Sequence, residues 1–302
     1  MFLIFDTETT GLPRSYKAPI SDTQNWPRMV QLAWQLHDEK GTLISHAEFL
    51  VSPDGFDIPF DSERIHGIST ALAQKEGLAL SEVLDRFESD LKKAHFVVGQ
   101  NVDFDINVVA CEFYRLMRAT EVLLDKPVLD TCTETTATLC QLPGGRGGKF
   151  KLPTLTELHQ HLFHSAFEEA HNASADVAAT ARCFFELIRN GIFSAEELQF
   201  SAEEAANFTA YHQTVVAPYP LQHRNLKKAA EALKLATQQD DKLSTGLTEN
   251  QRVELANAPF AHLHVHSQFS VLQATMKPEH LVRKAIEESM PAVAITDSGN
   301  MM

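Results

Sequence analysis

Apolar residues fall along this chain in two rhythms, one of period two and one close to 3.6. Phe2-Leu3-Ile4-Phe5 is a short unbroken run, the pattern of a strand buried on both faces. Val30, Leu32, Trp34 and Leu36 alternate with Gln31, Ala33, Gln35 and His37, which predicts a second strand. Asp38-Glu39-Lys40-Gly41 reads as a turn and residues 43–51 as a third strand, so the chain opens as an antiparallel meander. The period then changes. Residues 80–94 predict a helix, 96–98 a buried strand, and Ile106, Val109, Phe113 and Leu116 mark one helical face. Val128-Leu129 predicts a short strand, and 154–163 and 173–189 predict helices, the last stopped by Asn190-Gly191. The fold class expected is a mixed α/β sheet flanked by helices.

From Ser194 to about Pro259 the apolar density falls, and only 226–237 reads as an amphipathic helix. At Phe260 a strand pattern returns in His262-Leu263-His264-Val265-His266, followed by a helix over 278–289 and a strand over 292–296. We therefore expect a domain over 1–192, a helical connector over 193–259, and over 260–302 the start of a further unit, too short for its own core. Pro13–Arg28 reads as a surface excursion between the first two strands.

The 302 residues carry a formal charge of −14, which argues against a passive nucleic-acid binder, because such binding is built from clustered Lys and Arg. It leaves room for an enzyme that reaches phosphates through divalent cations held by its own carboxylates. Cys111, Cys132, Cys140 and Cys183 contain no C-x-x-C pair, so disulfides and structural zinc are not expected. The first strand is stopped by Asp6 and no apolar run approaches the roughly 20 residues of a spanning helix, so the expectation is a cytoplasmic chain with no membrane partner. Gly144–Lys149 lacks the Lys-[Ser/Thr] ending of a phosphate loop.

Candidate chemistry lies in three groups of acids. Asp6 and Glu8, at i and i+2 near the end of the first strand, project from one face. Gly99-Gln100-Asn101-Val102-Asp103-Phe104-Asp105 opens a helix, with Asn101 as the expected N-cap; periodicity does not choose between Asp103 and Asp105. In His171-Asn172-Ala173-Ser174-Ala175-Asp176, Asp176 neighbours the inward stripe of the following helix and His171 lies on the loop before it.

FDTETTGL, the IHGI segment at 65–68, GQNVDFD and HNASAD, in that order, resemble the motifs of the DEDDh family of 3′→5′ exonucleases over residues 1 to about 190. The epsilon-type proofreading exonucleases of bacterial DNA polymerase III are the nearest in pattern, and the element order is that of a ribonuclease-H-like fold. The resemblance implies that Asp6, Glu8, Asp105 and Asp176 bind two divalent cations, Mg²⁺ or Mn²⁺, and that His171 is the general base. It implies a place for Thr9 and His66 near the terminal nucleotide. The reaction implied is hydrolysis of DNA from single-stranded 3′ ends to nucleoside 5′-monophosphates. Residues 260–302 resemble the start of the PHP domain of polymerase III alpha subunits, with His264, His266 and Asp297 at metal-binding positions, although Gln268 and Ser298 stand where Asp and His are usual. That tail implies a proofreading module partnered with, or fused to, an alpha-type polymerase. An RNA-trimming exoribonuclease of the same chemistry and an inactive tethering module are the alternatives; the second would need a lost ligand.

Overall fold

Strand β1, Phe2–Thr9, lies at the centre of the sheet in the computed structural model, which describes residues 1–165, 167, 172–244, 261–267 and 277–296. It pairs antiparallel with β2 (Met29–His37), which pairs antiparallel with β3 (Leu43–Leu50). On its other side β4 (Phe96–Gly99) runs parallel to it, followed by β5 (Val128–Asp130), giving the order β3-β2-β1-β4-β5. This is the mixed sheet that the element order predicts, in the ribonuclease-H-like arrangement that the resemblance implies.

The apolar run of β1 divides between two cores because successive side chains point to opposite faces. Leu3 and Phe5 pack with Trp34 and Leu36 under α3 (Leu80–Leu91) and α4 (Asp103–Arg115), through Val83, Phe87, Val109 and Phe113. Phe2 and Ile4 pack on the opposite face against Val177, Ala181, Phe184 and Phe185 of α8 (Ala173–Arg189). Between these elements lie α1 (Phe60–His66), α2 (Thr70–Glu76), α5 (Glu121–Leu124), α6 (Glu134–Cys140) and α7 (Leu155–Phe163).

β1 pairs with β4 only over Phe2 to Ile4, so Asp6 and Glu8 run past the end of their parallel neighbour. The chain leaves β4 in a tight turn. A Cβ at Gly99 would lie 2.6 Å from Val102 Cγ2, and Asn101 takes the left-handed φ of 58°. Asn101 is not the cap of α4: that place falls to Val102, whose side chain cannot cap. The Asp130 carboxylate at the end of β5 acts instead, accepting from the Asn101 amide at 2.8 Å, the Val102 amide at 3.1 Å and the Cys132 amide at 2.7 Å.

Two further expectations are revised. The Pro13–Arg28 segment returns into the core, where Trp26 is buried and Arg28 Nε donates to the fully buried Glu112 at 3.0 Å. The segment read as connector contributes α9 (Ala202–Tyr211) besides the expected helix at 226–237, the start of α10 (Leu226–Ser244), and buries Phe208, Val216 and Leu226 against the sheet or its helices. A few well-placed anchors do this work where overall apolar density is low. Contacts divide the chain into Met1–Thr237 and Gln238–Met302, so the boundary expected at 192 falls inside the first unit. The second unit holds β6 (His262–Val265) parallel to β7 (Val293–Ile295), and α11 (Pro278–Glu287). All four cysteines are free, with Cys111 and Cys183 buried. No helix among the described residues is long and apolar enough to cross a membrane.

Asp130 joins β5 to the first turn of α4, so Asp130→Ala should destabilise the protein by about 1–2 kcal/mol, the range of a lost helix cap. Urea unfolding followed by circular dichroism measures this, and an unchanged midpoint would show that water replaces the carboxylate at no cost.

Candidate metal centre

Asp6 and Glu8 stand on the α8 face of β1, beyond Phe2 and Ile4. α8 is brought over them by its own first residues. Asn172 caps the helix, its Oδ1 accepting from the Ser174 amide at 3.0 Å, and the Ala173 amide donates to Gln31 Oε1 at 3.2 Å. Gln31 is the residue paired with Glu8 across β1 and β2, so this bond sets the start of α8 above Glu8. Asp176, in the first turn of α8, then completes a group with Asp6 and Glu8 whose candidate ligand oxygens all lie within 4.8 Å of one another.

Asp105 arrives from α4, on the opposite side of the sheet. Its Oδ1 accepts from the Thr7 amide at 3.0 Å and from Thr7 Oγ1 at 2.5 Å, which locks it to the strand residue between Asp6 and Glu8. Asp105 is buried whereas Asp103 is exposed, so the geometry separates two acids that periodicity does not. Thr9 Oγ1 donates to the Gly11 carbonyl at 2.7 Å, and His66 is buried in the last turn of α1 with Nδ1 accepting from the Ile68 amide at 3.0 Å. His171 lies outside the described residues, as do Gln268, Asp297 and Ser298 of the tail. Sequence reading passes over Thr7, Gln31 and Asp130, which hold the acids without being acids of the cluster.

Enclosure and mutual repulsion act in the same direction on these carboxyls. Burial, then the charges of Asp105, Asp176 and Glu8, raise Asp6 well above the usual carboxylate range. Burial pushes Glu8 up to about 8, with Asp176 and Asp105 adding to the shift and the Lys227 ammonium opposing it. Burial also pushes Asp105 up to about 7, against the two Thr7 hydrogen bonds, which favour its ionised form. An all-oxygen donor set that is costly to ionise fits hard divalent cations, which remove the repulsion by sharing it.

The family model described as exonuclease matches residues 3–184, which is most of the chain. The chain belongs to the exonuclease family. Among curated relatives of this exonuclease, the DNA polymerase III epsilon subunit of Rickettsia felis is 27% identical over 186 residues, covering 61% of this chain and 72% of its own. A PHP domain model matches residues 262–302, and the polymerase III alpha subunit of Buchnera aphidicola is 55% identical over 42 residues there, 14% of this chain and 4% of the relative. Among solved structures, E. coli exonuclease I in complex with a 5cy-dT13 oligonucleotide superposes with a TM-score of 0.50 at 21% identity, covering 66% of this chain and 42% of that one. That likeness is one of fold. The chain thus spans only 4% of the alpha subunit and 42% of exonuclease I.

Carboxyls with raised folded-state pKa keep protons that the unfolded chain has given up, so the stability they contribute is present below about pH 4 and is lost as pH rises through about 7–8. In cation-free buffer the melting temperature should therefore fall from about pH 5 to about pH 8. Mg²⁺ or Mn²⁺ should restore it at the upper end, and Asp6→Ala/Glu8→Ala should flatten both responses. Scanning fluorimetry with and without EDTA checks this; equal cation shifts in the two proteins would remove the metal assignment.

Proposed function

We propose that this exonuclease is a DEDDh-type enzyme that hydrolyses DNA from single-stranded 3′ ends, releases nucleoside 5′-monophosphates, and serves as the proofreading module of an alpha-type replicative polymerase. What supports the reading is the grouping of Asp6, Glu8 and Asp176, whose candidate ligand oxygens lie within 4.8 Å of one another, with Asp105 bonded to Thr7 on the strand between Asp6 and Glu8. The PHP-like residues 262–302 support the link to a polymerase.

Asp6, Glu8, Asp105 and Asp176 would hold two divalent cations, whose chemistry when bound is to stabilise charge on the attacking and leaving oxygens of an in-line displacement at phosphorus. The protein supplies the rest. β1, packed on both faces, fixes Asp6 and Glu8 at a set spacing, and the Thr7 and Gln31 bonds bring Asp105 and Asp176 to them without further reorganisation. His171, one residue before Asn172 in the sequence, accepts the proton of the attacking water at a ring nitrogen; an imidazole with an ordinary pKa of about 6.5 suits that role near neutrality. Thr9 and His66 border the terminal nucleotide.

With Mg²⁺ or Mn²⁺, 5′-labelled single-stranded DNA should shorten one nucleotide at a time, with no product in EDTA or from Asp6→Ala/Glu8→Ala. His171→Ala should lower kcat by roughly 10²–10⁴-fold while single-stranded DNA binding persists. Preference for labelled RNA over DNA would replace this reading with the exoribonuclease one, and absence of cation-dependent cleavage would end it.

A further inference from the structure

Residues beyond the stretch matched by the family model, 3–184, cross the acidic end of the sheet. The Val216 carbonyl accepts from Arg182 Nε of α8 at 2.9 Å. The chain then passes the first turn of α8, where His223 Nδ1 lies 2.9 Å from Ser174 Oγ and the Arg224 carbonyl accepts from Asn172 Nδ2 at 2.7 Å. Both contacts are made beside Asp176. On the other side the Arg224 guanidinium pairs with Glu76 at the end of α2, and Leu226 is buried among Val30, Ile58, Ile68 and Leu72. Residues 223–226 are therefore fastened both to the helix that carries Asp176 and to the α1–α2 corner that carries His66.

Lys227 follows, and Gly67 determines where it lies. A Cβ at Gly67 would stand 2.4 Å from Lys227 Cγ and 2.7 Å from its amide nitrogen, and Gly67 itself has φ +79°. A side chain there would displace α10, so the residue after His66 is both turn and seat for this lysine. The Lys227 residue is exposed, and among the described residues its ammonium forms no ion pair within 4.0 Å. Its charge is nevertheless felt at Glu8, where it favours the ionised carboxylate. A DNA strand approaching four carboxylates of a chain with charge −14 meets repulsion, and a cation at the rim is what its phosphates need.

We infer that Lys227, carried by α10 outside the matched domain, is a positioning residue that contacts a backbone phosphate of the single-stranded substrate as its 3′ end enters the carboxylate site. This rests on the nuclease reading above. An ammonium on a flexible stem acts on phosphate as a point charge and carries no base information, so its effect falls on substrate capture rather than on the chemical step.

The test uses the full chain with Mg²⁺ and a 5′-labelled oligodeoxynucleotide at KCl concentrations between about 50 and 200 mM. Lys227→Ala should raise KM roughly fivefold, the upper range for one exposed charge pair, with kcat and melting temperature unchanged. The slope of log KM against log salt should fall by about 0.7, one single-strand phosphate contact. Lys227→Glu should raise KM further, Lys227→Arg should restore it, and Lys228→Ala, one residue along the same exposed helix start, should match the parent protein. Unchanged KM and salt slope in Lys227→Ala and Lys227→Glu would overturn the inference, as would faster turnover, which would make the segment an obstruction. If the parent protein hydrolyses no DNA, the nuclease reading fails by itself. Fluorescence anisotropy of the same oligonucleotide with Ca²⁺ then reads Lys227 directly, and equal salt slopes for the parent and Lys227→Ala overturn its role.

Discussion

Burial of mutually repelling carboxyls at the end of β1 is the constraint on which the rest of this structure depends. Two full charges 4.8 Å apart repel by roughly 3 kcal/mol at an effective dielectric of about 20, and Asp6, Glu8 and Asp176 alone make three such pairs. The two Thr7 hydrogen bonds to Asp105 return about 1.5–3 kcal/mol each at most. Local hydrogen bonding cannot offset the repulsion, so protons or cations must. The surrounding fold is built to hold the acids in place regardless: an apolar strand packed on both faces, a glycine turn that lets β1 overrun β4, a buried Gln31 that receives the start of α8, and an Asp130 that ties down the start of α4.

Much of this was legible in the residues, for physical reasons that differ from element to element. The strands of the sheet and the long helices carry enough apolar repeats to declare their period, as Val177, Ala181, Phe184 and Ile188 do in α8. Helices of seven residues such as α1 and α2 do not, since two turns hold too few repeats; their ends are set by the Ser69 cap and the left-handed Gly67. Periodicity does not separate Asp105 from Asp103, since it is the contact with Thr7 across 98 residues of chain that distinguishes them, and only the family motif points to Asp105 in the sequence. Asn101 looks like a cap because its residue type suits one, yet a carboxylate from β5 takes the duty and leaves Asn101 to make the turn. Trp26 and Leu226 lie in polar surroundings in sequence and apolar ones in space, which is why both flanking segments read as surface or connector.

The first unit extends to Thr237, past the matched residues 3–184, and the added length bears on the site as well as on the core. Val216 and Phe208 complete the apolar layer over α8, while Arg224 and Leu226 link that helix to the α1–α2 corner. Residues beyond the matched stretch thus tie the helix that carries Asp176 to the corner that carries His66.

Proton release on cation binding tests the central claim most directly. Titrating Mn²⁺ calorimetrically at pH 7 in two buffers of different ionisation enthalpy counts the protons displaced, because metal ligands must give up theirs to bind. With Glu8 raised to about 8 and Asp105 to about 7, the account predicts release of at least one proton per protein molecule, and none beyond background for Asp6→Ala/Glu8→Ala. Binding of Mn²⁺ with no proton released would mean that the carboxylates are already ionised and tolerate one another, which contradicts it.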